Sequence, residues 1–247
     1  MQGIIRIRVD GDAPRARIER METIGGVRFQ TALLQMRSED GMLDNLMLRQ
    51  SVRLLALRGV TRVAAPDTPY MKSVLARYHI DAAPHTALLR ALAPRVLDHV
   101  LRGTPDGAVL LYARGLDGDV LAAARYAAQH CRRLVLDFGA RGEAVRRRLM
   151  DETGAAALLD QVGVHAPRTA VLLFDRPHPT FRIRLPHPVT VALCEGGAPG
   201  AHFDDAHVAG GLYEPLGDTD REGVLSMVVS HDRAACSTLE IVDLIKK

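Results

Sequence analysis

The sequence predicts an α/β fold: a mostly parallel sheet with helices on both faces and an antiparallel hairpin at one edge. Three observations carry this. Apolar runs at 108–113, 134–136 and 155–159 are too brief for helices and read as strands buried on both faces. Between them lie stretches of helical spacing, short enough that the strands they join must be parallel. Finally, residues 181–185 and 189–193 are separated by Pro186-His187-Pro188 alone, too little chain for a crossover helix, which predicts the hairpin.

In chain order, residues 4–9 alternate in part and read as an edge strand with one wetter face, ended by Asp10-Gly11-Asp12-Ala13-Pro14. Residues 27–36 fit a strand or a helix. After Asp40-Gly41, Leu43, Leu46, Met47, Gln50, Leu54 and Leu57 form a helical stripe expected to face the core, with Gly59 ending it. Residues 60–65 form a strand stopped by Pro66, and 70–78 a short helix. In the longer helix over 86–101, Pro94 predicts a kink or a restart near Ala93.

The central stretch follows. Strand 108–113 is broken by Arg114-Gly115-Leu116-Asp117-Gly118. A helix then begins with Asp117 or Asp119 as its cap and runs to about Cys131, with Val120, Leu121, Ala124, Ala127 and Ala128 at helical spacing. Strand 134–136 turns at 137–142 into a helix with Val145, Leu149 and Met150 inward, ended by Gly154 before the strand at 155–159. Residues 170–175 make a fourth strand of the central type. Residues 196–211 read as a loop, 223–230 as an apolar segment of open type, and Ser237-Thr238-Leu239-Glu240 as a capping box opening a terminal helix to Lys247. The expected organisation is an N-terminal α/β lobe over 1–103 and a core over 104–247, or one continuous domain.

The chain has 247 residues, 47% of them hydrophobic, so a substantial core is expected. Its formal charge is +3, with basic residues interleaved with acids, which does not favour nucleic-acid binding. Only Lys72, Lys246 and Lys247 are lysines; the densest basic run, Arg146-Arg147-Arg148, spreads around a helix beside Glu143, Asp151 and Glu152 and reads as a solvated face. Cys131, Cys194 and Cys236 are odd in number and lack disulfide or zinc spacing, which suits a reducing compartment. No stretch has the length of a signal peptide's apolar core or of a membrane span, so a soluble cytoplasmic protein is expected. Oligomeric state is not legible.

Ala113-x-Gly115-x-x-Gly118 directly follows a strand and opens a helix, and Asp137 ends the next strand 19 residues past Gly118. This resembles the dinucleotide-binding fingerprint of Rossmann proteins, with Ala113 in place of the first glycine. The resemblance implies a Rossmann-like sheet and a nucleotide-type cofactor, NAD(P) first. Gly115 would admit the pyrophosphate, Gly118 would let helix and strand pack, and Asp137 would hold the adenosine ribose. Against this, Asp117 and Asp119 place two carboxylates where the helix dipole would favour phosphate. Like charges a few ångströms apart cost about 1–4 kcal/mol per pair. Val135-Leu136-Asp137-Phe138-Gly139-Ala140-Arg141-Gly142, with Asp160 ending the next strand, also resembles the first motif of S-adenosylmethionine-dependent methyltransferases, Arg141 replacing a glycine.

His202, Asp204 and His207 form the one dense group of ligand-capable side chains and are weak candidates for a metal, with Cys194, Glu195 and His231 as neighbours to check. No metal is assigned. His165, His178 and His187 adjoin prolines or loops, and Ser226, Ser230 and Ser237 lack a nucleophile-elbow setting. No catalytic residue can be named. Three functional expectations stand: an NAD(P)-dependent oxidoreductase, a non-catalytic α/β module acting through protein partners, and a methyltransferase. A cleft lined by Gly115, Gly118 and Asp137 would favour a cofactor, whereas a loop filled by its own side chains would favour the module.

Overall fold

The computed structural model describes residues 1–9, 15–36, 42–66, 68–104, 106–210 and 220–246. The turn expected at 10–14, the Asp40-Gly41 helix start and the end of the chain at Lys247 lie outside these residues. The chain divides into two compact units, Met1–Leu88 with Ala209–Leu239, and Leu89–Val208 with Glu240–Lys247.

The first unit holds a six-stranded sheet of β1 (Gln2–Val9), β2 (Arg15–Ile18), β3 (Glu22–Ile24), β4 (Val27–Met36), β5 (Arg62–Ala64) and β6 (Asp81–Ala82). Its order is β2-β4-β1-β5-β6, with β3 also paired to β4. β1 runs parallel to β4 and β5, and β5 parallel to β6, whereas β2 and β3 pair with β4 antiparallel. The first strand is therefore central rather than an edge, with Ile4 and Ile5 wholly buried. The alternating arginines do not mark an edge: Arg6, partly exposed, pairs with Glu22 at 2.9 Å. Gly3 permits the close approach to β5: a Cβ there would meet Val60 Cγ1 at 2.8 Å.

The helices α1 (Met42–Leu57) and α2 (Pro69–Arg77) cover one face of this sheet. On α1 the buried residues are Leu48, Val52 and Leu55, which pack against Ile5, Ala32 and Leu34 of the sheet and Met71 and Val74 of α2. Of the stripe expected from the sequence, Met47 packs against this core and Leu54 is half-buried, whereas Leu43, Leu46 and Leu57 face outward. Two apolar stripes share this leucine-rich helix, and periodicity alone cannot choose between them. Thr68 caps α2 by accepting from the N–H of Met71. α3 (Thr86–Ala91) follows β6, and α4 (Ala93–Leu101) restarts after Leu92 with Pro94 in its first turn, as the proline predicts.

The segment left open at 223–230 is α7 (Arg221–His231), whose Val224, Leu225 and Val228 are wholly buried. Asp220 caps it through Gly223 N–H. Gly223 lies against Ala64, which alternates along β5 with the Val63 and Ala65 that face α1 and α2, so α7 covers the opposite face. Helices on both faces are thus realised in this sheet.

The second unit contains β7 (Ala108–Tyr112), α5 (Gly118–His130), β8 (Arg133–Asp137), α6 (Gly142–Thr153), β9 (Ala157–Leu158), β10 (Thr169–Leu173) and β11 (Pro188–Ala192). Five parallel strands run in the order β11-β10-β7-β8-β9. The chain starts in the middle, winds outward through β8 and β9, then returns to the other side of β7 for β10 and β11. Every residue of β7 and β10 is buried, as their uninterrupted apolar character requires.

α4, α5 and α6 pack side by side against this sheet. The other face, carrying Leu110, Tyr112, Val135 and Val171, is covered by Val164, Phe181, Ile183 and Leu185 from irregular chain. The second helical layer expected here does not form, because Pro177, Pro179 and Pro186 interrupt the connection from β10 to β11. The expected hairpin over 181–193 is corrected for the same reason. Residues 181–185 form no strand, and β11 adds to β10 in parallel register. Antiparallel pairs are found in the first sheet, where β2 and β3 pair with β4.

Two further expectations change. Within the 196–211 loop lies a strand, β12 (Asp205–Ala209), and the expected terminal helix is a strand, β13 (Glu240–Ile245), paired with it. Ile241, Val242 and Ile245 are β-branched, which favours a strand over a helix. Met150, expected inward on α6, is 51% exposed. The arginine run does form a solvated face: Arg146 and Arg147 pair with Glu143, and Arg148 with Glu152. Hydrogen bonds from Arg146 and Arg147 hold the Glu143 carboxyl down to about 2. Arg125 and Arg148 do the same to Glu152, also to about 2.

Candidate functional site

Strand order fixes where a ligand site would lie in the second unit. Connections leave β7 and β10 in opposite directions, so a crevice is expected at the carboxyl ends of these neighbours. The strands end level, with Leu173, Tyr112 and Asp137 in register. All four residues of the fingerprint, Ala113, Gly115, Gly118 and Asp137, are brought to this end of β7 and β8. Ala113 is wholly buried and extends the ladder, its N–H donating to Asp137 O at 3.1 Å. Gly118 opens α5.

Four backbone donors of the loop and the helix start have carboxylate acceptors. Asp175, just past β10, places Oδ2 2.6 Å from the N–H nitrogen of Arg114 and 3.0 Å from that of Gly115. Asp117 caps α5, its Oδ1 accepting from Asp119 N–H and Val120 N–H at 3.0 Å each. Arg90 then binds Asp117 Oδ2 at 2.5 Å and the Phe174 carbonyl, with its guanidinium 5.2 Å from the centre of the Phe174 ring. Burial pushes the Asp117 carboxyl up. The Val120 and Asp119 N–H groups and the Arg90 guanidinium together outweigh it, leaving Asp117 below the usual carboxylate range. The sequence named Asp117 as a cap but gave no signal for Asp175 or Arg90, which are distant in the chain.

Arg114 crosses the carboxyl end of the sheet. Its Nε donates to the hydroxyl of the buried Tyr112 at 2.9 Å, and its guanidinium lies 5.0 Å from the Tyr112 ring centre. The Tyr112 hydroxyl also accepts from His178 N–H at 3.2 Å. Nη1 of Arg114 lies 3.3 Å from where a Cβ on Gly139 would stand, and Gly139 has φ of +55°. Gly139–Arg141 forms a short 3-10 turn leading straight into α6. Arg176 donates to the carbonyls of Gly196 and Gly197. A Cβ at Gly115 would meet nothing within 4 Å, so there is room beside the loop although the Arg114 and Gly115 N–H groups are engaged.

The other candidates are placed as follows. His202 Nδ1 accepts from Thr190 N–H at 3.0 Å, while His207 projects from β12 to the surface. Among the described residues, no three His, Cys, Asp or Glu side chains gather to hold a metal ion. His178 bonds Thr180 within its own turn, and His187 sits in a turn with φ of 45°. Ser226 lies within α7 and donates its hydroxyl to the Pro84 carbonyl. No helix among the described residues is long and apolar enough to cross a membrane.

The second unit therefore has a Rossmann-like parallel sheet, in which carboxylates of the same chain accept from the loop after the first strand. No protein-family model and no curated protein sequence matches the chain. Among solved structures it is similar to L-tryptophan dehydrogenase from Nostoc punctiforme, at 15% identity and a TM-score of 0.31 over 66% of this chain. It spans half the length of that dehydrogenase chain.

Proposed function

We propose that this protein is a non-catalytic α/β module that acts through protein partners, with its dinucleotide-type loop held shut by its own side chains. The observation that carries this reading is the pair of carboxylates on the loop. Asp175 takes the N–H groups of Arg114 and Gly115, and Asp117 takes those of Asp119 and Val120. These are among the donors a pyrophosphate would use at the start of such a helix. Each carboxylate also supplies the negative charge that the helix end favours. Surfaces for partners are available in the exposed Leu43, Leu46 and Leu57 of α1 and in Met150, Leu158, Leu159 and Val162 of the second unit.

A second reading is favoured by strand order and by Asp137 at the end of β8. In it a nucleotide-type cofactor, NAD(P) first, displaces Asp175, and the chain serves as an oxidoreductase. The S-adenosylmethionine reading draws on Gly139 and Asp160 at the ends of β8 and β9.

Thermal unfolding decides among the three readings. The module reading expects no shift of the midpoint with millimolar NAD, NADP or S-adenosylmethionine. Ligand at 100 times its dissociation constant would stabilise by about 2.7 kcal/mol. A shift with one cofactor, abolished by Gly115→Val and Asp137→Ala, would overturn the module reading. The open space beside Gly115 lets the valine variant fold.

A further inference from the structure

We propose a separate ligand site at the amino ends of the second sheet's strands, suited to a small phosphate monoester with an apolar body. A cavity of about 300 Å³ opens there among the end of α4, the start of β10, and β11 and β13. That volume falls at the lower end of the range of small-molecule sites, about 300–1,000 Å³. It lies at the opposite end of the strands from the loop carrying Gly115.

Charge and shape together define the ligand. Val189, Phe203 and Leu244 form an apolar wall, and Arg102, Arg168 and His99 supply the donors. Arg132, also near this end, is engaged with Asp106 at 2.8 Å. The guanidinium groups of Arg102 and Arg168 have no hydrogen-bond or ion-pair partner among the described residues. His99 Nδ1 is buried without a hydrogen-bond partner among the described residues. The one acid in the lining, Asp243, accepts from Leu244 N–H at 2.9 Å. Two guanidinium forks against one carboxylate leave net positive charge over a patch of apolar wall. A phosphate dianion offers three oxygens to two such forks, whereas a carboxylate offers two. The apolar body would rest on Val189, Phe203 and Leu244.

Titration of the isotope-labelled full chain by amide-resolved NMR tests this. Phenyl phosphate is expected to move the resonances of Gly103, Val189 and Leu244, with a dissociation constant of about 1 mM or tighter. Benzoate and inorganic phosphate should bind more weakly, and phenol should move none of them. Arg102→Gln or Arg168→Gln should weaken phenyl phosphate at least about tenfold. Both side chains are exposed, so the variants keep the fold, and their unperturbed spectra verify it. The proposal is overturned if phenyl phosphate moves nothing at about ten times that concentration, or if both variants bind like the wild type. It is also overturned if the shifts centre on residues 115–119, or if benzoate binds as tightly as phenyl phosphate.

Discussion

Asp175 accepts a 3.0 Å hydrogen bond from the backbone N–H of Gly115 across 60 residues of sequence. The same oxygen takes the Arg114 N–H, so removing it strands two donors at once. Asp175→Ala is expected to lower the free energy of unfolding by about 1–2 kcal/mol. Asp175→Asn, which keeps an acceptor, should lose less. Urea denaturation of the three proteins measures both.

Asp117 links the start of α5 to Arg90. Asp117→Ala should cost about 0.5–2 kcal/mol near neutrality, through the lost cap. The folded-state pKa of Asp117 is depressed, so its electrostatic contribution is present above the unfolded value of about 3.9 and is lost as pH falls through the folded value. The stability gap between wild type and variant should therefore narrow below about pH 4. A gap that stays constant from neutral pH down to the acid transition would contradict the Arg90–Asp117 assignment.

α1 gives an opposed pair. Leu55→Ala removes a wholly buried side chain and should cost about 2–5 kcal/mol. Leu57→Ala, at 73% exposure, should stay within about 0.5 kcal/mol of wild type. Equal effects would mean that the helix is rotated from the orientation described.

These contrasts show how much of the molecule was legible. The run from β7 to β9 could be read because each strand has an uninterrupted apolar centre and each connection is short. The restart at Ala93 followed from Pro94. The facing of α1 could not be read, because Leu48 and Leu55 compete with Leu43, Leu46 and Leu57 for the same period. β11 was misassigned because a proline-bounded strand says nothing of its partner's direction, and here it adds beside β10 after an irregular crossover. At the candidate site the glycines and Asp137 were visible as a local motif. Asp175 and Arg90 were not, since only tertiary structure brings them to the loop.

Cysteine chemistry supplies a further check. Burial, with the Asp98 carboxylate adding to it, pushes the Cys131 thiol up to about 11. The thiolate fraction near pH 8 is then far below that of a free cysteine, whose pKa is about 8.5. Iodoacetamide labelling followed by peptide mass spectrometry should find Cys131 slower than a model thiol at pH 8, and accelerating towards pH 10. Labelling at the model rate at pH 8 would contradict its burial.

The first unit is completed by Ala209–Leu239, after an excursion of 120 residues beyond Leu88. A ribosome making about 5–20 residues per second needs roughly 6–24 s for that excursion. Throughout it, the sheet face around Ala64 waits for Val224, Leu225 and Val228, with apolar surface open to trigger factors, chaperones or a neighbouring nascent chain. Biogenesis, more than the finished fold, is then the stage at which this protein is most exposed to aggregation. Moving α7 ahead of β1 by circular permutation would shorten that interval.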